Sequence, residues 1–122
     1  MDDCVFCKIA RGDIATEKIY EDDVVVAFND VSPQAPVHAL VIPKDHYGHL
    51  GDGVPADVLG SLFSAVPEVA RRAGIAESGY RVIVNSGPDA NQTVAHLHVH
   101  VMGGRGMSHG MVSFEGEATD GR

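Results

Sequence analysis

At 122 residues, with 44% apolar side chains and a formal charge of −8, the chain has the length of one ordinary domain and enough apolar content for a core. Seventeen acidic side chains against nine basic ones exclude a nucleic acid polymer as partner, because polyanion binding relies on clustered Lys and Arg, whereas a single nucleotide phosphate needs only a few donors. Two cysteines are too few for a disulfide scaffold, no apolar run exceeds the five residues of Val24–Phe28, and Met1-Asp2-Asp3-Cys4 lacks the features of a signal peptide, so the chain reads as soluble and cytoplasmic, with no membrane partner.

In chain order, residues 17–20 and 24–28 flank Glu21-Asp22-Asp23, the pattern of a hairpin whose second strand is apolar enough to be buried on both faces. Val31-Ser32-Pro33-Gln34-Ala35-Pro36 is read as an ordered loop, and residues 37–42 as a third strand stopped by Pro43. Pro55 stands where a first helical turn tolerates it. Val58, Leu59, Leu62, Phe63, Val66, Val69, Ala70 and Ala73 then recur at helical spacing, with Pro67 expected to kink the helix and Gly74 to end it. Residues 80–84 and 95–102 read as a fourth and fifth strand around a polar loop over 85–93. From Gly103 the chain is Gly-rich and polar. Strands with one main helix on a face imply an α+β fold.

The most informative stretch is His96-Leu97-His98-Val99-His100-Val101-Met102. On a strand Leu97, Val99 and Val101 would face the core while three imidazoles stand in a row on the other side, roughly 6.5–7 Å apart. Three histidines so spaced cannot all converge on one tetrahedral ion, so at most two could share it. A neutral imidazole is also a competent nucleophile near neutral pH, and its neighbours can donate hydrogen bonds or protons to developing charge.

This run resembles the signature of the histidine triad (HIT) superfamily of nucleotide hydrolases and transferases. Residues 28–38, Leu40-Val41-Ile42-Pro43-Lys44, Gly79-Tyr80-Arg81 through Asn85, and Gly103-Gly104-Arg105 resemble, in the same order, its purine nucleoside phosphoramidase branch. The resemblance implies one domain over residues 1–107: a five-stranded antiparallel sheet with one main helix and a short N-terminal helix. Residues 108–122 would be a tail packing on or near the site. It implies that His98 attacks the α-phosphorus of a nucleoside 5′-phosphoramidate to give a nucleotidyl-imidazole, which water resolves to the nucleoside monophosphate. His100 and His38 would orient phosphate and nucleophile. Asn85, Gln92 and Thr93 would bond phosphate oxygens and the leaving group, Asp30 would take both ribose hydroxyls, and Val5, Phe6, Ile9, Phe28 and Val31 would form an apolar slot for the purine of an AMP or GMP moiety. The family is also commonly homodimeric. His49 and His109 match no role.

Cys4-Val5-Phe6-Cys7 has a spacing at which two thiolates can hold one ion; a redox pair and a disulfide are the competing readings. Relatives of the bacterial type complete a structural zinc site with two histidines, which match His46 and His96. Some positions depart from the commonest phosphoramidase pattern. Thr93 stands for serine, Asn91 for a glycine, Ala95 for an aromatic residue, and the tail lacks a Trp-containing ending. A dinucleoside polyphosphate hydrolase and a nucleotide-binding regulatory module with weak turnover are the alternatives.

Overall fold

The computed structural model describes residues 3–116. A short helix α1 (Val5–Arg11) precedes strands β1 (Lys18–Glu21), β2 (Val25–Asn29) and β3 (Val37–Pro43). The main helix α2 (Ala56–Arg72), strand β4 (Tyr80–Ile83), a 3₁₀ turn (Pro88–Ala90) and strand β5 (Val99–Gly103) complete the fold. The strands form one sheet in the order β1-β2-β3-β5-β4, every neighbouring pair antiparallel. This is the α+β fold expected from the resemblance. Among the described residues, no helix is long and apolar enough to cross a membrane.

The hairpin turn is set by Asp22, whose Oδ1 accepts from the backbone N–H groups of Val24 and Val25 at 2.8 and 2.9 Å. After it, side chains alternate between two cores. Val25 and Ala27 of β2, Ala39 and Val41 of β3, and Leu97, Val99 and Val101 pack on Leu62, Ala65, Val66, Val69 and Ala70 of α2. Val26, Phe28, Leu40 and Ile42 face the opposite way and pack on Phe6 and Ile9 of α1. The second strand is thus buried on both faces, as its apolar run predicts.

Three expectations are corrected. The fifth strand starts at Val99 rather than residue 95, because the backbone before it pairs with loops: the His96 N–H with Val94 O and the Leu97 N–H with Tyr47 O. Pro55 is the cap of α2 rather than part of its first turn, its fixed φ of −61° suiting that position. The helix is assigned unbroken through Pro67, since its buried residues continue on either side and Pro67 itself is on the exposed side, where water can satisfy the freed carbonyl. Gly74, in a left-handed conformation with φ +81°, follows the helix end as expected.

At the end of β5 the chain passes very close to its neighbours. A Cβ on Gly104 would lie 2.9 Å from the Pro36 ring, and Gly104 has φ +103°. Residues 108–116 form no helix or strand and are exposed, and the Arg81 guanidinium donates to Ser108 O at 3.0 Å. The remainder of the expected tail, residues 117–122, and residues 1–2 at the start lie outside the described residues.

Candidate active site and metal centre

Even-numbered residues of β5 lie on the face away from α2. The register sets His38 of β3 opposite Met102, and Leu40 opposite His100, and the rings of His38, His100 and His98 follow one another in contact, with Phe6 against His98. The rings of His98 and His100 are 4.9 Å apart between centroids, closer than the backbone repeat, because they tip together edge to face.

Hydrogen bonds fix the tautomer of each ring. The Nδ1–H of His98 donates to His96 O at 2.7 Å, which leaves Nε2 with an unprotonated lone pair. His98 is only 3% exposed, yet no buried side-chain nitrogen or oxygen among the described residues is unpaired, so Nε2, without a protein partner, is an atom that reaches the surface. The edge of Phe6, 5.2 Å away between centroids, fixes the other side of the ring. His38 accepts the Gln34 N–H at Nδ1 (2.9 Å), so its proton sits on Nε2 and is donated to Nδ1 of His100 at 2.8 Å. His100 therefore carries its proton on Nε2, another atom with no protein partner. A lone pair and an N–H on adjacent rings stand side by side.

Burial favours the neutral form of His38 and His100. The pKa of His100 is pushed down to about 4, first by desolvation and then by the neighbouring His98 and His38. Burial also lowers that of His38, against the opposing pull of Asp30. Asp30 accepts the Ser32 N–H at Oδ1 in an Asx turn (2.8 Å) and sets Oδ2 3.4 Å from Nε2 of His38. Ligand atoms of Asp30, His38 and His100 fall within 4.8 Å of one another. They are a poor cation cage, because the Gln34 N–H forces a proton onto Nε2 of His38, and that proton occupies Nδ1 of His100.

A second cluster behaves differently. Cys4, Cys7, His46 and His96 also place their ligand atoms within 4.8 Å of one another. Sγ of Cys4 is 3.4 Å from Nδ1 of His96, and Sγ of Cys7 is 3.2 and 3.5 Å from Nδ1 of His46 and His96. A tetrahedral zinc ion with ordinary Zn–S and Zn–N bonds needs sulfur–nitrogen edges of about 3.6 Å. The Nε2–H of His96 is given to Pro43 O at 2.9 Å, which turns the Nδ1 lone pair toward the sulfurs. The Cys7 thiol is pushed up to about 11 by burial and by the adjacent Cys4, so at neutral pH it ionises only with a cation against it. Two sulfurs and two imidazoles in this arrangement suit a zinc-type ion. Both cysteines are free thiols, which removes the disulfide reading.

The remaining expected residues divide. Among the described residues, neither the Asn85 amide, just beyond β4, nor the Thr93 hydroxyl, on the exposed loop before His96, is committed to a protein partner. Gln92 departs from its expected place as a phosphate donor: Nε2 donates to Gly48 O and Val94 O, and Oε1 accepts from Gly87 N–H, so the amide is consumed by the backbone. Phe6, Ile9 and Phe28 are brought together, with Phe6 and Phe28 edge to face at 5.6 Å, but they pack as core. Val5 and Val31 are exposed, Val31 at 97%, so they could only rim such a slot rather than line a closed one. Asn91 adopts φ 58°, the left-handed conformation that a glycine position would require.

Sequence reasoning missed the backbone groups that aim the rings: His96 O, Pro43 O and the Gln34 N–H. Every residue carries such groups, so no residue type announces them.

The HIT domain family matches residues 11–107. A 13.2 kDa HIT-like protein of Azospirillum brasilense is 51% identical over 105 residues, covering 83% of this chain and 85% of that relative. A 14 kDa zinc-binding protein of Zea mays is 43% identical over 108 residues, covering 85% of this chain and 84% of its own. Among solved structures, a HIT family hydrolase from Clostridium thermocellum superposes with a TM-score of 0.87 at 42% identity, covering 92% of this chain and 99% of the other. A match over most of the domain, on a fold in which His96, His98 and His100 alternate with the core residues Leu97, Val99 and Val101, makes this chain a member of the HIT family.

Proposed function

We propose that the protein hydrolyses purine nucleoside 5′-phosphoramidates, or related nucleotidyl conjugates, through a nucleotide bonded to His98. The observation that carries this reading is the 2.7 Å bond from Nδ1–H of His98 to His96 O, which keeps a lone pair on the outward nitrogen without a separate base. Nε2 of His98 attacks the α-phosphorus. The P–N bond breaks, and the amine leaves with a proton from solvent. The Nε2–H of His100 bonds a phosphoryl oxygen and stabilises charge that grows there in the transition state. Water then attacks the same phosphorus and gives a proton to solvent as the P–Nε2 bond breaks, releasing the nucleoside monophosphate and returning the lone pair to His98.

Asn85 and Thr93 supply uncommitted neutral groups for the phosphate. Asp30 takes the ribose hydroxyls through Oδ2, while Phe6 and Phe28, rimmed by Val5 and Val31, offer the base an apolar side. We assign a structural zinc to Cys4, Cys7, His46 and His96. When bound it cross-links α1 to the two histidine-bearing segments, and it stays out of the reaction because its ligand His96 lies on the far side of the His98 bond. The protein acts as a homodimer joined along β4.

Incubation with adenosine 5′-phosphoramidate, rapid quenching without acid and peptide mass spectrometry test the reading. An adenylyl adduct on the peptide containing His98 is expected, with turnover lost in His98→Ala by a factor of roughly 10⁴ or more, as for other covalent nucleophiles. Full turnover in His98→Ala overturns it.

A further inference from the structure

Gln92 sits between the 3₁₀ turn and His96, and its carboxamide is used on both sides. Nε2 donates to Gly48 O at 2.7 Å and to Val94 O at 2.9 Å, and Oε1 accepts the Gly87 N–H at 2.9 Å. Gly48 lies two residues after His46, and Val94 two residues before His96. One side chain therefore spans the two segments that bring both imidazoles to the four-donor cluster.

The backbone alone joins these segments next to the cluster at one place, the Leu97 N–H to Tyr47 O bond of 2.7 Å. That bond and the His96 Nε2–H to Pro43 O bond of 2.9 Å hold the segments at and before Tyr47. Gln92 adds a third attachment on the other side, beyond His46 at Gly48. Its effect reaches the metal ligand directly, because Val94 O accepts both the Gln92 amide and the His96 N–H, the latter at 2.9 Å. The joint calls for a planar group with two donors and one acceptor. A glutamate of the same shape would aim an oxygen at two carbonyls.

We propose that Gln92 is a positioning residue for the metal centre, its carboxamide holding the His46 and His96 segments at the separation the four ligands require. The inference rests on reading Cys4, Cys7, His46 and His96 as a zinc site, and it replaces the phosphate contact expected of Gln92. Because His96 O also receives the His98 bond, slack in this joint passes on to the nucleophile.

The test titrates Zn²⁺ alone into the full chain in competition with a chromophoric chelator, for the parent, Gln92→Glu and Gln92→Ala. Circular dichroism confirms the fold of each variant. The parent is expected to bind one equivalent, and Gln92→Glu to bind about 10- to 100-fold more weakly, the usual effect of losing a group that orients a ligand. In the Zn²⁺-loaded variant, amide hydrogens over residues 46–50 and 94–97 should exchange faster than in the parent. A lowered kcat recovered by excess Zn²⁺ supports the clamp. Zn²⁺ affinity within twofold of the parent in both variants overturns it, as does a raised KM that saturating Zn²⁺ leaves in place while affinity is unchanged. A parent that binds no Zn²⁺ overturns the zinc reading itself, and the clamp with it.

Discussion

Which nitrogen of each imidazole the backbone claims decides what each histidine can do. His98 and His96 are two residues apart and both buried, yet a carbonyl on Nδ1 frees Nε2 of His98 for a reaction, while a carbonyl on Nε2 frees Nδ1 of His96 for an ion. His100 has neither arrangement. Its Nδ1 receives the His38 proton, and burial keeps the ring neutral with a pKa of about 4. Unfolding returns that ring to its ordinary value near 6.5. Between these limits the unfolded chain binds the extra proton, so stability from this group rises with pH over the window and is lost as pH falls from about 6.5 to about 4. Urea unfolding of metal-free protein at pH 7, 5.5 and 4.5 should show a falling midpoint, with a shallower fall in His100→Gln. Equal slopes in the two proteins would remove His100 as the cause.

Helix α1 has only seven residues, too few to persist alone. Phe6 and Ile9 anchor one side of it, and Cys4, which caps it by accepting the Cys7 N–H at 3.3 Å, and Cys7 anchor the other through the metal cluster. Cys7→Ser is expected to abolish stoichiometric zinc by elemental analysis. Either this substitution or chelation should lower Tm by about 10 °C or more, as expected when a ligand present near 100 times its Kd is withdrawn from a domain of this size. Unchanged melting after complete zinc removal would show that apolar packing alone holds α1. The same elements mark what the sequence makes legible. The alternation of Val25–Phe28 and of Leu97, Val99 and Val101 reports core faces, because burial acts on side-chain type. The Cys-x-x-Cys spacing shows half of the metal site, and the other half, His46 and His96, is joined only by the tertiary crossing of two loops. Alternation alone starts the fifth strand four residues early, because it persists through His96–His98 where ladder pairing does not. Gln92 reads as a ligand contact in the sequence because residue type cannot show that three backbone groups engage its amide.

Across the whole molecule, the two edges of the sheet differ. At β1 the register slips between Lys18 and Tyr20, Glu21 pairs with Lys18 and Lys44, and Arg72 of α2 donates to Ile19 O at 2.9 Å, occupying part of the outer ladder. Such charges and irregularities block the addition of another strand. β4 has regular register over Tyr80–Ile83, and its Tyr80 and Val82 are 37% and 38% exposed. A regular, partly apolar edge is the surface on which a second copy can extend the sheet by backbone pairing, and a two-fold axis across β4 would make the contact self-complementary. Analytical ultracentrifugation is therefore expected to find twice the 12.9 kDa chain mass. Val82→Lys places like charges across the two-fold axis and should shift the protein toward monomer, with a salt-dependent return because the opposing charges are screened. A parent that sediments as a monomer at 100 µM, or a Val82→Lys variant as dimeric as the parent, places the contact elsewhere. Comparing kcat for the dimeric parent with that of the monomeric variant then separates the roles of assembly. An unchanged kcat means each subunit contains a whole site, and a fall means that the second copy completes the groove beside Arg81 and Met102, on the same face of the sheet as His100.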